Sequence, residues 1–268
     1  MIKISTITPC YKMGEYLPVF LKELKKQTIF PNFEVVLDHN DPEDWEIDLV
    51  NDFIKKYPPG VIKHIITKPV DSIGISMNRC IKESSGEFLT IWNVDDLRTN
   101  DSLEKQSNVL IDNLEIDIVN SNYQVVNMFG IKNGRQIDHT IYPEEEYKRG
   151  MILGPFFMFR KKICEKCGFF DEQLKTGADF DFAIRLAYNG KIKFTNGNIG
   201  FYLDAGRGAS TRQGSLQELE KTVILLRYEI LDKIKNENCE RFLEEAKLKY
   251  DIENIINFGK KYNYKKFL

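Results

Sequence analysis

The sequence predicts an α/β fold: a mostly parallel sheet flanked by helices, with a helical appendage at the C-terminus. Three observations predict it. Short apolar runs rich in β-branched residues alternate with amphipathic stretches through the first part of the chain. Each run is closed by polar or turn-forming residues. Past Leu216 the chain becomes rich in Leu, Ile, Glu and Lys, which is helical in character.

Ile2 to Thr8 alternate as a strand does, and Pro9 is expected to end regular pairing before an amphipathic helix from Glu15 to Lys26. Phe33 to Leu37 is a valine-rich run that predicts a buried parallel strand, followed by a polar loop from Asp38 to Pro42. The alternation continues with a helix around Ile47 to Lys56, a strand at Val61 to Thr67, a helix from Ile75 to Ser84 and a strand at Glu87 to Trp92. Strands alternating with helices imply right-handed crossovers and helices on both faces of the sheet. In such sheets ligands bind beyond the carboxyl ends of the strands, where the loops starting at Pro9, Asp38 and Asn93 would lie. The second half is less regular. A strand is expected at Asp117 to Val126, a loop-rich stretch from Asn127 to Gly154, a strand at Pro155 to Phe159, and helices at Lys161 to Cys167 and Asp179 to Asn189.

A chain of 268 residues suffices for one large α/β domain and is short for two with a linker. With 42% hydrophobic and 29% charged residues, extensive disorder is excluded, and a net charge of -2 gives no reason to invoke nucleic acid. The first residues lack a basic start followed by an apolar core, and no stretch approaches the ~20 apolar residues of a membrane span, which places the chain in the cytoplasm. Five cysteines, an odd number, do not suggest a disulfide framework, and the CxxC of Cys164 and Cys167 has no second pair to complete a zinc site.

Two clusters could carry chemistry. Asn93-Val94-Asp95-Asp96 directly follows an apolar strand, and paired carboxylates at a strand end are hard-oxygen ligands for Mg²⁺ or Mn²⁺ that a diphosphate can complete. The structural alternative is a solvated turn or a helix N-cap. Gly177-Ala178-Asp179-Phe180-Asp181 opens a helix on which Asp181 and Arg185 are four apart and can pair, leaving Asp179 with a free carboxylate suited to a general base. Plain N-terminal capping is the alternative there.

Taken in order, these segments resemble the family 2 glycosyltransferases of the GT-A fold, a Rossmann-like architecture, from about residue 3 to residue 210. Pro9-Cys10-Tyr11-Lys12 matches the opening loop, Gln27-Thr28 the end of the first helix, and Asp38-His39-Asn40-Asp41 the loop that contacts the nucleotide base. Gly74 to Arg79 resembles a helix start, Ser85 to Phe88 leads into the metal strand, and Asn93-Val94-Asp95-Asp96 matches the DxD-type motif. Phe159 to Lys162, Cys167 to Glu172 and Ala178 to Phe182 resemble the stretch around the acceptor site. Departures fall at Lys12, His39, Met77, Asn93 and Ala178.

The resemblance implies an inverting enzyme that moves a sugar from a nucleotide-sugar donor, UDP favoured and GDP or dTDP open, to a hydroxyl of a glycan, lipid-linked or protein acceptor. It implies nucleotide binding by Pro9, Tyr11, Asp38, His39 and Asp95, a Mn²⁺ or Mg²⁺ held by Asp96 with Asp95, and Asp179 as catalytic base supported by Asp181 and Arg185. Arg79 or Lys68 is expected near phosphate, and Asp204 or Arg207 would stand in for a histidine absent from Tyr202 to Ser210. It divides the chain into a catalytic domain over 1–212, with a nucleotide-binding half (1–97) and an acceptor-binding half (98–212), and a helical extension over 213–268. Cys164 and Cys167 fall where packing residues are expected. The tail from Lys260 to Leu268 interleaves four lysines with apolar residues, a pattern suited to peripheral contact with an anionic membrane or to a solvated end. Two other readings remain: a sugar-nucleotide-forming nucleotidyltransferase, which lacks its glycine-rich basic loop here, and an inactive domain that binds saccharide or scaffolds a complex.

Overall fold

The computed structural model describes residues 4–139, 153–206, 216–228 and 239–261. Strands β1 (Ile4–Tyr11), β2 (Glu34–Asn40), β3 (Ile62–Thr67) and β4 (Phe88–Ile91) form a parallel sheet half in the order β3-β2-β1-β4, with Thr6 opposite Val35 and Thr90. The chain moves outward from β1 to β3 and then returns to the other side of β1 at β4. That reversal opens a crevice beyond the carboxyl ends of β1 and β4, the usual ligand position in an open α/β sheet.

Alternation along β2 sends Val36 to one face and Val35 and Leu37 to the other. Helix α1 (Leu17–Leu24) buries Leu17, Phe20, Leu21 and Leu24, a stripe at helical spacing, against the second face. Helix α2 (Asp44–Ile54) packs on the same face and starts with a capping box between Glu43 and Glu46. Helix α3 (Ile73–Glu83) covers the first face with Met77, Cys80 and Ile81, capped by Ser72, whose Oγ accepts from Ile75 N–H.

The second half is mixed. Strand β8 (Met158–Arg160) runs antiparallel between β4 and β6 (Ile118–Val126), and β9 (Ile192–Leu203) runs parallel to β6. Strand β5 (Leu97–Arg98) pairs with the end of β9, and β7 (Arg135–Ile137) pairs with β6. Helix α4 (Ser102–Asp112) lies on the face of α1, while a short helix α5 (Cys164–Cys167) and α6 (Ala178–Asn189) pack on the face of α3. Cys164 and Cys167 are buried in that core, and the four cysteines with described side chains are unpaired thiols.

Among the described residues three helices follow: α7 (Leu216–Arg227), α8 (Cys239–Lys249) and α9 (Ile252–Lys260). Helix α7 faces two ways. Ile224 and Leu225, with Tyr228 just beyond, enter the core shared with Phe182 and Leu186, whereas Leu219 and Val223 pack against Ala246 and Ile255. Among the described residues no helix is long and apolar enough to cross a membrane. The expected membrane-contacting tail beyond Lys261, Arg207, and most of the Asn127 to Gly154 loop after His139 lie outside the described residues.

Several expectations shift. Strand β1 continues through Pro9 to Tyr11, and β2 runs on to Asn40, so Asp38 and His39 stand on a strand rather than in a loop. The polar residues extend β2 because each finds a partner inside the fold. The sheet is parallel through its first half and antiparallel where β8 enters it.

Candidate active site

The crevice predicted by the topology is a cleft of about 370 Å³. Its walls come from the end of β1 (Pro9, Cys10, Tyr11) with Met13, from Asn40 of β2, from Asp71, Ile73 and Ser76 around the start of α3, and from Asn93, Val94 and Asp95 after β4. Tyr11 is 42% exposed, so its ring offers an open aromatic face at the mouth. The turn that follows places Lys12 at φ 53° and its ammonium 5.1 Å from the Tyr11 ring centroid.

The floor is built on Asp38. Its carboxylate is fully buried and accepts from Ser76 Oγ (2.5 Å), Arg79 Nη1 (2.6 Å), Thr67 Oγ1 (2.7 Å) and Asn40 Nδ2 (3.2 Å). Arg79 also pairs with Asp71, and together the two carboxylates raise its already high proton affinity. Asn40 Oδ1 accepts from the Asp71 N–H at 3.0 Å, which fixes the loop before α3. Of the residues expected to bind nucleotide, Pro9, Tyr11 and Asp95 therefore line the cleft, while Asp38 stands behind it. His39 points to the opposite face, with Nδ1 3.3 Å from His64 Nε2. Burial lowers both imidazoles to about 4, so both are neutral at pH 7. Lys68 pairs with Asp41 at 3.6 Å.

The two carboxylates after β4 differ. Asp95 faces the cleft. Asp96 turns inward, its Oδ1 accepting from Leu203 N–H (3.1 Å) and its Oδ2 from Asn93 Nδ2 (3.2 Å), which ties the motif to the end of β9. Burial raises both, and the neighbouring charge of Asp95 raises Asp96 further. Arg98, buried beneath and bonded to Thr90, Ile91 and Gln106, is pulled down to about 9 by its own burial. Among the described residues no group of three or more His, Cys, Asp or Glu is gathered to hold a metal alone. Asp96, expected as the direct metal ligand, thus has both oxygens bonded inside the fold, and Asp95 alone brings a carboxylate to the cleft wall. One such carboxylate still fits a hard cation of the Mg²⁺ or Mn²⁺ type, which takes one or two protein oxygens and completes its shell from water and phosphate.

Asp179 opens the first turn of α6, outside the cleft walls, and one of its oxygens accepts from the Phe180 N–H at 2.8 Å. Burial raises its pKa to about 6. Asp181 and Arg185 form the expected pair four residues apart, at 2.6 Å and 2.8 Å. Both are fully buried, so they brace the helix from inside. Arg227 and Tyr228 from α7 bond the other oxygen of Asp181. The loop leading to Asp179 is pinned to α3, since Asn78 both accepts from the Phe170 N–H (2.8 Å) and donates to its carbonyl (2.9 Å). Asp204, the other expected stand-in near the metal, donates its N–H to Val126 O at the end of β9.

Residues 5–168 match the family model described as Glycosyl transferase family 2. The chain belongs to this family. The match contains every residue of the cleft wall and stops before Asp179. Among its relatives, the chain is 26% identical over 194 residues to an uncharacterized glycosyltransferase of Methanocaldococcus jannaschii, covering 69% of this chain and 65% of that one. It thus spans just under two thirds of that relative's length. S. aureus TarS 1–349 in complex with UDP-GlcNAc superposes with a TM-score of 0.64 at 19% identity, over 91% of this chain and 71% of that one. A mannosyltransferase from Pyrobaculum calidifontis in complex with GDP-Man and Mn²⁺ gives 0.56 at 14% identity, over 97% and 73%. At these identities the solved structures establish the GT-A fold for this family 2 member.

Sequence reasoning placed Asn40 within the base-contacting segment without singling it out, and missed Asp71, Ile73 and Ser76 as cleft residues. Because β2 runs on to Asn40, this residue lies two positions after Asp38 on the strand and shares its face.

Proposed function

We propose that this family 2 member is an inverting, nucleotide-sugar-dependent glycosyltransferase with a UDP-sugar as favoured donor. It would act on a hydroxyl of a glycan, lipid-linked or protein acceptor. The observation that carries this is the cleft at the strand reversal, which offers an aromatic face at Tyr11 for a nucleobase and a carboxylate at Asp95 in its wall. The UDP-GlcNAc complex of the TarS neighbour supports a UDP-sugar, and the GDP-Man and Mn²⁺ complex keeps a GDP-sugar as the competing donor.

In this reading Asp179 takes the proton of the acceptor hydroxyl as its oxygen attacks the anomeric carbon, and the bond from that carbon to the diphosphate breaks on the opposite side. A single base without a covalent nucleophile gives inversion. The base must be ionised, and a pKa of about 6 leaves Asp179 ionised at neutral pH yet more basic than an ordinary aspartate. Asp95, with Asp96 anchoring the motif behind it, would hold Mn²⁺ or Mg²⁺, whose chemistry there is to neutralise charge on a departing diphosphate. Tyr11 would stack on the base, and the Asp38 network would keep Asn40 and Ser76 in the cleft floor.

The test is release of nucleoside diphosphate from UDP-GlcNAc, UDP-glucose and GDP-mannose with Mn²⁺, water serving as acceptor. Turnover of one donor that falls about 10²-fold or more in Asp179→Asn supports the reading. Unchanged turnover in that variant removes Asp179 as the base.

A further inference from the structure

Glu220 lies on α7, outside the family match, and is fully buried. Its carboxylate accepts from three successive backbone N–H groups, those of Lys175 (2.8 Å), Thr176 (2.7 Å) and Gly177 (2.7 Å). It also accepts from the Thr176 hydroxyl (2.9 Å) and from the Tyr250 hydroxyl after α8. Consecutive N–H groups converging on one carboxylate form an anion nest, here filled by a side chain from another helix. Gly177 is the N-cap of α6 and has no side chain of its own to cap that helix, so Glu220 supplies the negative charge its N-terminus favours. Asp179 stands two residues further on.

Contact at this point is close. A Cβ on Gly177 would lie 2.9 Å from Ile224 Cδ1 and 3.3 Å from Glu220 Cβ, so α7 seats directly on the start of α6. Seven residues along, and therefore on the same side of α7, Arg227 reaches Asp171 and Asp181, which bracket this segment. The segment from Asp171 to Asp181 is thus held at its start, before Asp179 and after it by one helix. Phe258 of α9 stacks on both Arg185 and Arg227, with guanidinium carbons 5.1 Å and 5.0 Å from its ring centroid.

We propose that Glu220 is a positioning residue for Asp179, and that the C-terminal helices thereby complete the acceptor side of the active site. The proposal rests on Asp179 as the base. Fixing the Lys175 to Gly177 nest sets where the first turn of α6 begins, and the Glu220 charge adds in small part to the burial that keeps the Asp179 proton affinity high.

The test follows the side-chain carboxyl carbon of Asp179 by NMR through a pH titration, its resonance assigned with Asp179→Asn. Glu220→Gln keeps the size of the side chain but removes the charge and replaces an acceptor by a donor facing N–H groups. Glu220→Asp, which keeps the charge and withdraws it by one methylene, is the milder variant should the first fail to fold, and there the kcat against KM split is the readout. The expected result for Glu220→Gln is a kcat for UDP release from UDP-GlcNAc reduced at least about tenfold with donor KM within twofold of wild type, together with an Asp179 midpoint lowered below about 6 but still held up by burial. A kcat that matches wild type in a folded Glu220 variant would overturn the proposal. Loss of the base assignment itself reads out separately, as retained turnover in Asp179→Asn.

Discussion

Arg79 and Asp38 form an ion pair beneath the cleft, Nη1 to Oδ2 at 2.6 Å, with the carboxylate wholly out of water. A buried carboxylate so paired holds neighbouring side chains in place, and breaking the pair from one side leaves a charge without its partner. Asp38→Ala should therefore destabilise the protein by about 2–4 kcal/mol, the lower end reflecting partial exposure of Arg79. Urea denaturation would measure it, and a loss under 1 kcal/mol would show that Asp38 is not a structural anchor.

Tyr11 should act through its ring. Tyr11→Ala is expected to weaken nucleotide binding by about 1–3 kcal/mol, tenfold or more in Kd, with no change in thermal stability because the side chain is exposed. Calorimetric titration of UDP would read the first effect and a melting curve the second.

Asp179 makes activity and stability depend on pH in opposite senses. With its carboxyl raised to about 6, kcat/KM should climb as pH passes through that value, and the limb should vanish in Asp179→Asn. The folded pKa lies above the unfolded one, so the ionised carboxyl costs stability above about pH 6 and nothing below the ordinary aspartate range. Asp179→Asn should consequently stabilise the fold by about 1–2 kcal/mol at pH 7, a gain that disappears near pH 3. A variant less stable than wild type at pH 7 would contradict this.

Arg227 faces the reverse case. It neutralises Asp171 and Asp181 in the core, and Arg185 and Arg227 hold Asp181 below the usual carboxylate range against the upward push of burial. Arg227→Met should cost about 3–5 kcal/mol at pH 7 by leaving buried Asp171 without its cation and Asp181 with Arg185 alone. A folded pKa below the unfolded one gives stability that is present above the unfolded value and lost as pH falls through the folded one. The gap between variant and wild type should therefore narrow only below about pH 4, which denaturation at pH 7 and at about pH 3 would show.

The first half of the fold was legible because its strands and helices carry clean periodicities, as in the Leu17, Phe20, Leu21, Leu24 stripe. Helix α4 was not, because its inward side includes Gln106 and Ser107. Gln106 is buried to bond Arg98 and the Phe156 carbonyl, so the apolar stripe is broken where the fold is sound. Strand β9 hid behind Asn196-Gly197, which reads as a turn but sits in a register shift against β6 with Gly197 at φ 88°. At the site, residue types pointed to Tyr11, Asp95 and Asp179. They did not tell that Asp38 would be occupied by Arg79, nor that Glu220, some forty residues on in the chain, would cap the loop before Asp179. Those relationships join distant segments and leave no local pattern.

The most direct measurement is calorimetric titration of UDP, GDP and dTDP, each with and without Mn²⁺, into the wild-type protein and Asp95→Asn. The account predicts Mn²⁺-dependent binding, strongest for UDP, that weakens at least about tenfold in the variant. A folded wild-type protein that binds none of the three nucleotides, with or without Mn²⁺, would contradict it.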